Sequence, residues 1–174
     1  MRSLFAGQLI EFSNVSAGSV VMWPERNGRP CYALKIAPHQ SADRAAVFRE
    51  DLLILSPSTE FSVGQLLSRD QRSRVLMLQD AAIAPVLSEV EMSVTGVSKP
   101  GDLELWPERI CMRARAKDGE RENPLVDLGS GEILSDDGEQ PRRDQVRFPA
   151  IIRQWELVRQ VAARSDKEIL YRKG

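Results

Sequence analysis

A chain of 174 residues, 42% hydrophobic and 28% charged, can bury one ordinary core or two small ones and is too apolar to stay disordered. Its formal net charge of -1 gives no general attraction to nucleic acid or to a membrane surface, and it lacks the ~18-residue apolar run that a membrane-spanning helix needs. Two cysteines and one histidine exclude a secreted disulfide framework and a zinc centre, and residues 1–10 lack the apolar length of a signal peptide, so a cytoplasmic protein is expected.

Residues 8–12 read as a short strand and 14–18 as a turn. A strand follows from Gly18 to Trp23 and stops at Pro24, which has no N–H for a ladder. The polar turn 25–30 carries Asn27-Gly28, a strong hairpin signal. On the return strand, 31–37, Tyr32, Leu34 and Ile36 alternate with Ala33 and Lys35, the period of a half-buried strand. Residues 38–43 read as a loop, 45–49 as extended, and the apolar run 52–55 as a buried strand closed by Ser56-Pro57-Ser58. Segments 63–67 and 74–78 are expected to pair. Ala81, Ala82, Ile83, Val86, Leu87 and Val90 fit helical spacing. Pro85 would cost about 3 kcal/mol inside a helix but suits a first turn, which predicts a short helix starting near it.

The second half repeats the theme. Residues 92–97 read as a strand, 98–101 as a turn, and 103–106 with 110–116 as a hairpin in which Met112, Ala114 and Ala116 alternate with Arg113, Arg115 and Lys117. Residues 125–128 and 132–134 flank Gly129-Ser130-Gly131, a short hairpin, and 138–144 form a polar linker. Near the end, Pro149 sits where a first-turn proline belongs, and Ile151, Trp155, Val158 and Ala162 follow at helical spacing with Ile152 and Val161 beside them. A helix over about 148–164, its apolar stripe laid on a sheet, is expected.

One tetrapeptide, Trp-Pro-Glu-Arg, occurs at Trp23, Pro24, Glu25 and Arg26 and again at Trp106, Pro107, Glu108 and Arg109. Gly18 and Gly101 stand equally far before the two tryptophans, and a cysteine follows each, Cys31 and Cys111. Ile54-Leu55-Ser56 has a counterpart in Ile133-Leu134-Ser135, and Arg69-Asp70-Gln71 in Arg143-Asp144-Gln145. A tandem duplication is expected on this pattern, with the cysteines facing outward on equivalent strands. The fold class is therefore mainly β: two similar small open β-barrel or roll units, residues 1–80 and 84–146, followed by a C-terminal α-helix and tail, 147–174.

Motifs for chemistry are sparse. His39 reads as an exposed loop residue, and the chain holds no nucleophile elbow, phosphate loop or dinucleotide fingerprint. Glu132, Asp136, Asp137 and Glu139 lack the spacing of a calcium loop, so neither metal nor cofactor is expected. Acidic residues crowd 118–139 and basic ones follow from Arg142 to Lys173, which reads as solvated faces. The tetrapeptides end strands. Their tryptophans are either core caps beside a solvated Glu-Arg pair or exposed platforms, in which case Trp23, Arg26, Trp106 and Arg109 are the binding residues.

Gly18-Ser19-Val20-Val21-Met22-Trp23, then Gly28-Arg29-Pro30 opening the next strand, then Leu52-Leu53-Ile54-Leu55-Ser56-Pro57-Ser58-Thr59, resemble the PemK/MazF family of small-barrel toxin ribonucleases over residues 18–59. That resemblance implies a metal-independent endoribonuclease with Arg29 as catalytic arginine, Ser58 or Thr59 as catalytic hydroxyl, and an inactive second barrel. Such cleavage uses the RNA's own 2′-OH, so proton transfer and an arginine for the phosphorane charge suffice. Three functions are thus expected in order: a non-enzymatic binding or assembly module contacting protein or nucleic acid through the two turns, the ribonuclease, and a structural subunit of a larger assembly. Partners are a protein or RNA and a second copy of the chain, with no membrane.

Overall fold

Short alternating segments punctuated by Pro, Asn-Gly and Gly give this chain a repertoire of strands and tight turns. The computed structural model describes residues 7–38, 51–86, 98–115, 123–134, 150–160 and 167–174, and the backbone of 90–92. Six strands come first: β1 Gly7–Glu11, β2 Val20–Pro24, β3 Pro30–Lys35, β4 Leu52–Ile54, β5 Leu66–Leu67 and β6 Arg74–Leu78. They form one antiparallel sheet in the order β1-β6-β2-β3-β4-β5. Next comes β7, Ala81–Pro85, which leaves that sheet. Six more strands follow: β8 Val90–Met92, β9 Leu103–Leu105, β10 Ile110–Arg113, β11 Leu125–Asp127, β12 Ile133–Leu134 and β13 Ala150–Ile152. Their sheet, read from β8, runs β8-β13-β9-β10-β11-β12. The first strand of each six pairs with the sixth, the sixth with the second, and the rest follow in sequence, so both sheets have one strand order. The last two strands, β14 Trp155–Gln160 and β15 Lys167–Lys173, join β7 in a third sheet, β15-β14-β7.

The registers correspond as well. Val20 lies opposite Leu34 and Val21 opposite Ala33 in the first sheet; Leu103 lies opposite Met112 and Glu104 opposite Cys111 in the second. Val21 faces Met77 across to β6, and Glu104 faces Ile151 across to β13. Before each second strand stands a glycine with positive φ, Gly18 at 78° and Gly101 at 89°, a conformation that penalises a Cβ. Each donates its N–H down the sheet, to Lys35 O at 2.8 Å and to Arg113 O at 2.8 Å.

The main core lies between the sheets. Val20, Met22, Tyr32, Leu34, Leu53 and Leu66 come to it from the first sheet, Leu103, Met112, Val126 and Ile152 from the second, and Trp155 and Leu157 from the third. A smaller core covers the other face of the first sheet, where Phe12 and Val15 fold over Val21, Cys31, Ala33, Leu52, Ile54 and Val75. Phe12 is placed there by a short 3-10 turn, Phe12–Asn14, whose first N–H is held by Ser73 O at 2.9 Å.

The expected C-terminal helix over 148–164 is absent: its described residues are the strands β13 and β14. Ile151 and Ile152 are β-branched and sit easily in a pleated sheet. Arg153 and Gln154 then separate two strands, and β14, paired in unbroken register with β7, buries the consecutive residues Leu157 and Val158 on its two opposite faces. One break between strands and one strand buried on both faces thereby imitate helical spacing; Pro149, Val161 and Ala162 lie outside the described residues. The helix expected near Pro85 is also a strand in its described part. Val86 N donates to Gln154 O and Gln160 N to Asp80 O, so even-numbered residues of β7 bond to β14. Pro85, of the other parity, points its missing N–H away from the pairing.

Segments 63–67 and 74–78 do not pair with each other. β5 pairs with β4, and β6 lies between β1 and β2. Neither six-stranded sheet closes on itself among the described residues. Cys31 and Cys111 do sit on corresponding strands but are buried, and by register Cys111 corresponds to Ala33. The fifth strand of each six in chain order, β5 and β12, matches Leu66-Leu67 with Ile133-Leu134, not Ile54-Leu55.

Candidate functional site

The first Trp-Pro-Glu-Arg turn is built by its own backbone. Glu25 N donates to Arg29 O at 2.8 Å, Gly28 N to Glu25 O at 2.9 Å, and Arg29 N to Asn27 Oδ1 at 2.8 Å, while Gly28 takes a φ of 78°. This self-bonded tip holds Arg26 and Arg29 in solvent, with Asn27 and Gly28 between them. Pro24 faces Pro30 at its base, and Trp23 faces Cys31.

Trp23 is half-buried and is not an open platform. The Arg69 guanidinium lies 4.4 Å from its ring centroid, fixed by an Nε donation to Ser73 Oγ at 2.7 Å. Burial pushes the Arg69 guanidinium below its usual value, opposed by the negative charges that Cys31 and Asp70 can carry. Arg74 of β6 enters the sheet at this same end, opposite Glu11, and Arg72 is exposed in the preceding turn. Arg26, Arg29, Arg69, Arg72 and Arg74 therefore gather around one end of the first sheet, interspersed with Glu11, Glu25 and Asp70.

Cys31 offers no nucleophile here. Burial first, then the Glu25 carboxylate, pushes its thiol up to about 12, against a hydrogen bond from Ser56 and the charge of Arg69. Ser56 Oγ accepts Tyr32 N at 2.9 Å. Ser58 Oγ accepts Glu60 N at 3.1 Å and Phe61 N at 2.8 Å, and Thr59 is exposed. Because β3 and β4 are antiparallel, the chain leaves β4 toward Ser58 and Thr59 at the end where Arg29 enters β3.

The second tetrapeptide makes a tighter turn. Trp106 N donates to Arg109 O at 2.9 Å and Arg109 N to Trp106 O at 3.4 Å; Pro107, Glu108 and Arg109 are exposed and Trp106 half-buried. Among the described residues, the buried side-chain polar atoms left without a partner are Glu25 Oε1 and Trp106 Nε1, one in each tetrapeptide. Buried polar atoms are seldom left unpaired, so both turns carry an unused hydrogen-bonding capacity, an acceptor in one and a donor in the other.

A polar cluster that the sequence did not announce covers the outer face of the second sheet. Glu104, 3% exposed, accepts from Arg113 Nη2 at 2.6 Å and from the Ser98 hydroxyl; Arg113 also donates Nε to Ser98 Oγ at 2.9 Å and Nη1 to Asn123 O at 2.7 Å. Cys111 lies buried on the same strand face, its thiol pushed up to about 12 by burial and then by Asp127. Alternation with Leu103 and Leu105 put Glu104 on the outward face, and an outward glutamate reads as solvated. The signal available was its register match to Val21, a buried residue of the first sheet. The cluster satisfies itself and reads as a clamp on the loops at Ser98 and Asn123.

Of the acidic residues 132, 136, 137 and 139, only Glu132 is described and it is exposed; His39 lies outside the described residues. No group of three His, Cys, Asp or Glu that could hold a metal exists among the described residues, and no helix among them is long and apolar enough to cross a membrane. Comparison with protein-family models, with curated proteins and with solved structures finds no match.

Proposed function

We propose that this chain is a tandem-repeat binding module that takes an anionic partner, an acidic protein segment or a single nucleic-acid strand, chiefly through its first Trp-Pro-Glu-Arg turn. One observation carries the reading: the turn is a self-bonded hairpin tip that presents Arg26 and Arg29 at the same sheet end as Arg69, Arg72 and Arg74. The second turn, with Arg109, stands at the corresponding place in the second sheet and adds a weaker contact. Trp23 acts as the support on which Arg69 is stacked, so the contact is electrostatic and not a ring-on-ring stack.

The test is fluorescence anisotropy of full-length protein with a labelled polyglutamate peptide and with labelled single-stranded RNA and DNA, at low and high salt. Binding of at least one probe, weakened by salt, is expected, with Arg26→Ala/Arg29→Ala losing about 10-fold or more and Arg109→Ala less. No binding of any probe at low salt refutes the reading.

The ribonuclease reading is second, supported by Arg29 lying at the sheet end where Ser58 and Thr59 follow β4. It expects cleavage of single-stranded RNA in the presence of chelator, abolished in Arg29→Ala. Intact RNA after prolonged incubation rules it out.

A further inference from the structure

We infer that the two repeats pack about a pseudo-two-fold axis passing between Ile83 and Leu157, and that the surface around β7 is self-complementary: the partner it fits is a copy of the same unit, whether the second unit of this chain or the first unit of another. The inference rests on the repeat reading but not on what the turns bind.

The axis follows from register. Met77 and Ile151 hold the same place, each opposite the corresponding residue of the second strand, Val21 and Glu104. Counting forward from these, Ala81 corresponds to Trp155, Ile83 to Leu157 and Pro85 to Arg159. In the structure Ala81 pairs with Arg159, Ile83 with Leu157 and Pro85 with Trp155. Exchanging every residue for its counterpart returns the same set of pairs. That is the property of an isologous interface, in which i meets j and j meets i.

A second contact, far along the chain, obeys the same exchange. Gly18 of the first unit is seated on the turn at Gly129 and Gly131 of the second, closely enough that a Cβ would meet backbone. Gly101, the counterpart of Gly18, is seated against Gly64, the counterpart of Gly131. The hydrogen bonds match: Ala37 N donates to Gly131 O at 2.9 Å, and Arg115 N to Gly64 O at 2.7 Å. Four glycines at positive φ, at 78°, 89°, 80° and 75°, thus make two copies of one backbone-to-backbone contact between the units.

β15 has no described counterpart beside β7. Side chains that hold it on β14 and on the turn before β9 include Trp155, which meets Tyr171 edge-on, Glu156, Arg159 and Asp102. Their counterparts are Ala81, Ala82, Pro85 and Ser19, so the first unit carries no side chains for such a strand and the fit lies in β7 and the core face alone.

A tethered unit competes at an effective concentration near millimolar, so the folded chain closes on itself and exchange with another chain is expected when refolding is concentrated. In a pair of first units Ile83 would face Ile83 of the other chain, while Ala81 would face Pro85. Full-length Ile83→Cys is unfolded under reduction, refolded over a range of concentrations, mildly oxidised, thiol-blocked and separated without reductant. A disulfide-linked dimer that grows with refolding concentration is expected, with Ala81→Cys treated identically giving several-fold less. No linked dimer at any concentration, or equal linking from both positions, overturns the proposal. In the folded double variant Ile83→Cys/Leu157→Cys an intrachain disulfide is expected without change of mass, since this non-hydrogen-bonded pair suits the geometry; its failure to form overturns the axis itself. Anisotropy on protein that was never unfolded is independent of these outcomes, so failure of the axis and failure of the binding reading are told apart.

Discussion

Cys31 and Cys111 are buried thiols whose titration couples the fold to alkaline pH. Each thiol is raised by burial from its usual 9.0 to about 12. Between those values the unfolded chain has lost protons that the folded chain keeps. Stability is therefore fully present below 9.0 and declines as pH climbs toward 12, by up to about 1.4 kcal/mol per pH unit for each thiol. Tyr32 and Tyr171, also raised by burial, act in the same direction. Lys35 acts in the opposite one: burial lowers its ammonium against the pull of Asp51, so its loss of a proton relieves the fold as pH rises. Two thiols outweigh one amine. Thermal unfolding followed from pH 9.0 upward should show a falling midpoint, with a shallower fall in Cys31→Ala/Cys111→Ala. An identical slope in that variant would assign the loss to other groups.

Among the elements, the strands with unbroken alternation were legible. The hairpin of β2 and β3 could be placed from Pro24, Asn27-Gly28 and the alternation through Ile36, and that of β11 and β12 from Gly129-Ser130-Gly131. β14 was not legible, because it buries Leu157 and Val158 on opposite faces, which erases the period-two mark in local spacing. The partners of β5 and β6 were not legible either, since antiparallel pairing beyond a hairpin depends on long-range closure. The arginines of the first turn were partly foreseen: Arg26 and Arg29 follow from the hairpin, whereas Arg69 and Arg74 arrive only when β6 comes to lie beside β2. Glu104 on β9 makes the clearest test at this scale. Its side chain is 4% exposed and that of its partner Arg113 is 20%. Glu104→Val, which installs the residue found at the matching position of β2, leaves the largely buried Arg113 without its carboxylate partner and should cost about 2–3 kcal/mol in denaturant unfolding. Adding Arg113→Met should recover most of that loss. If the single variant is as stable as the parent, the cluster is no clamp.

At the scale of the molecule, the main core draws on all three sheets, and Trp155 of the third donates Nε1 to Gly101 O, just before β9 of the second, at 2.9 Å. Neither unit holds a complete core, so calorimetry should show a single transition whose calorimetric and van't Hoff enthalpies agree. Two resolved transitions would mean that the units fold independently. The smaller core on the first sheet differs in kind from the Glu104 clamp on the second, although both occupy matching faces of matching strands. Val21, Ala33 and Ile54 stand where Glu104, Cys111 and Asp127 stand. An assembly of two identical chains is bound to place every new side chain twice, and a charge suited to one surface is imposed on the other. Two sheets of one strand order in one polypeptide are free of that obligation. One face can stay sealed with hydrocarbon while its twin experiments with acids, bases and hydroxyls, and the pair keeps its common core throughout.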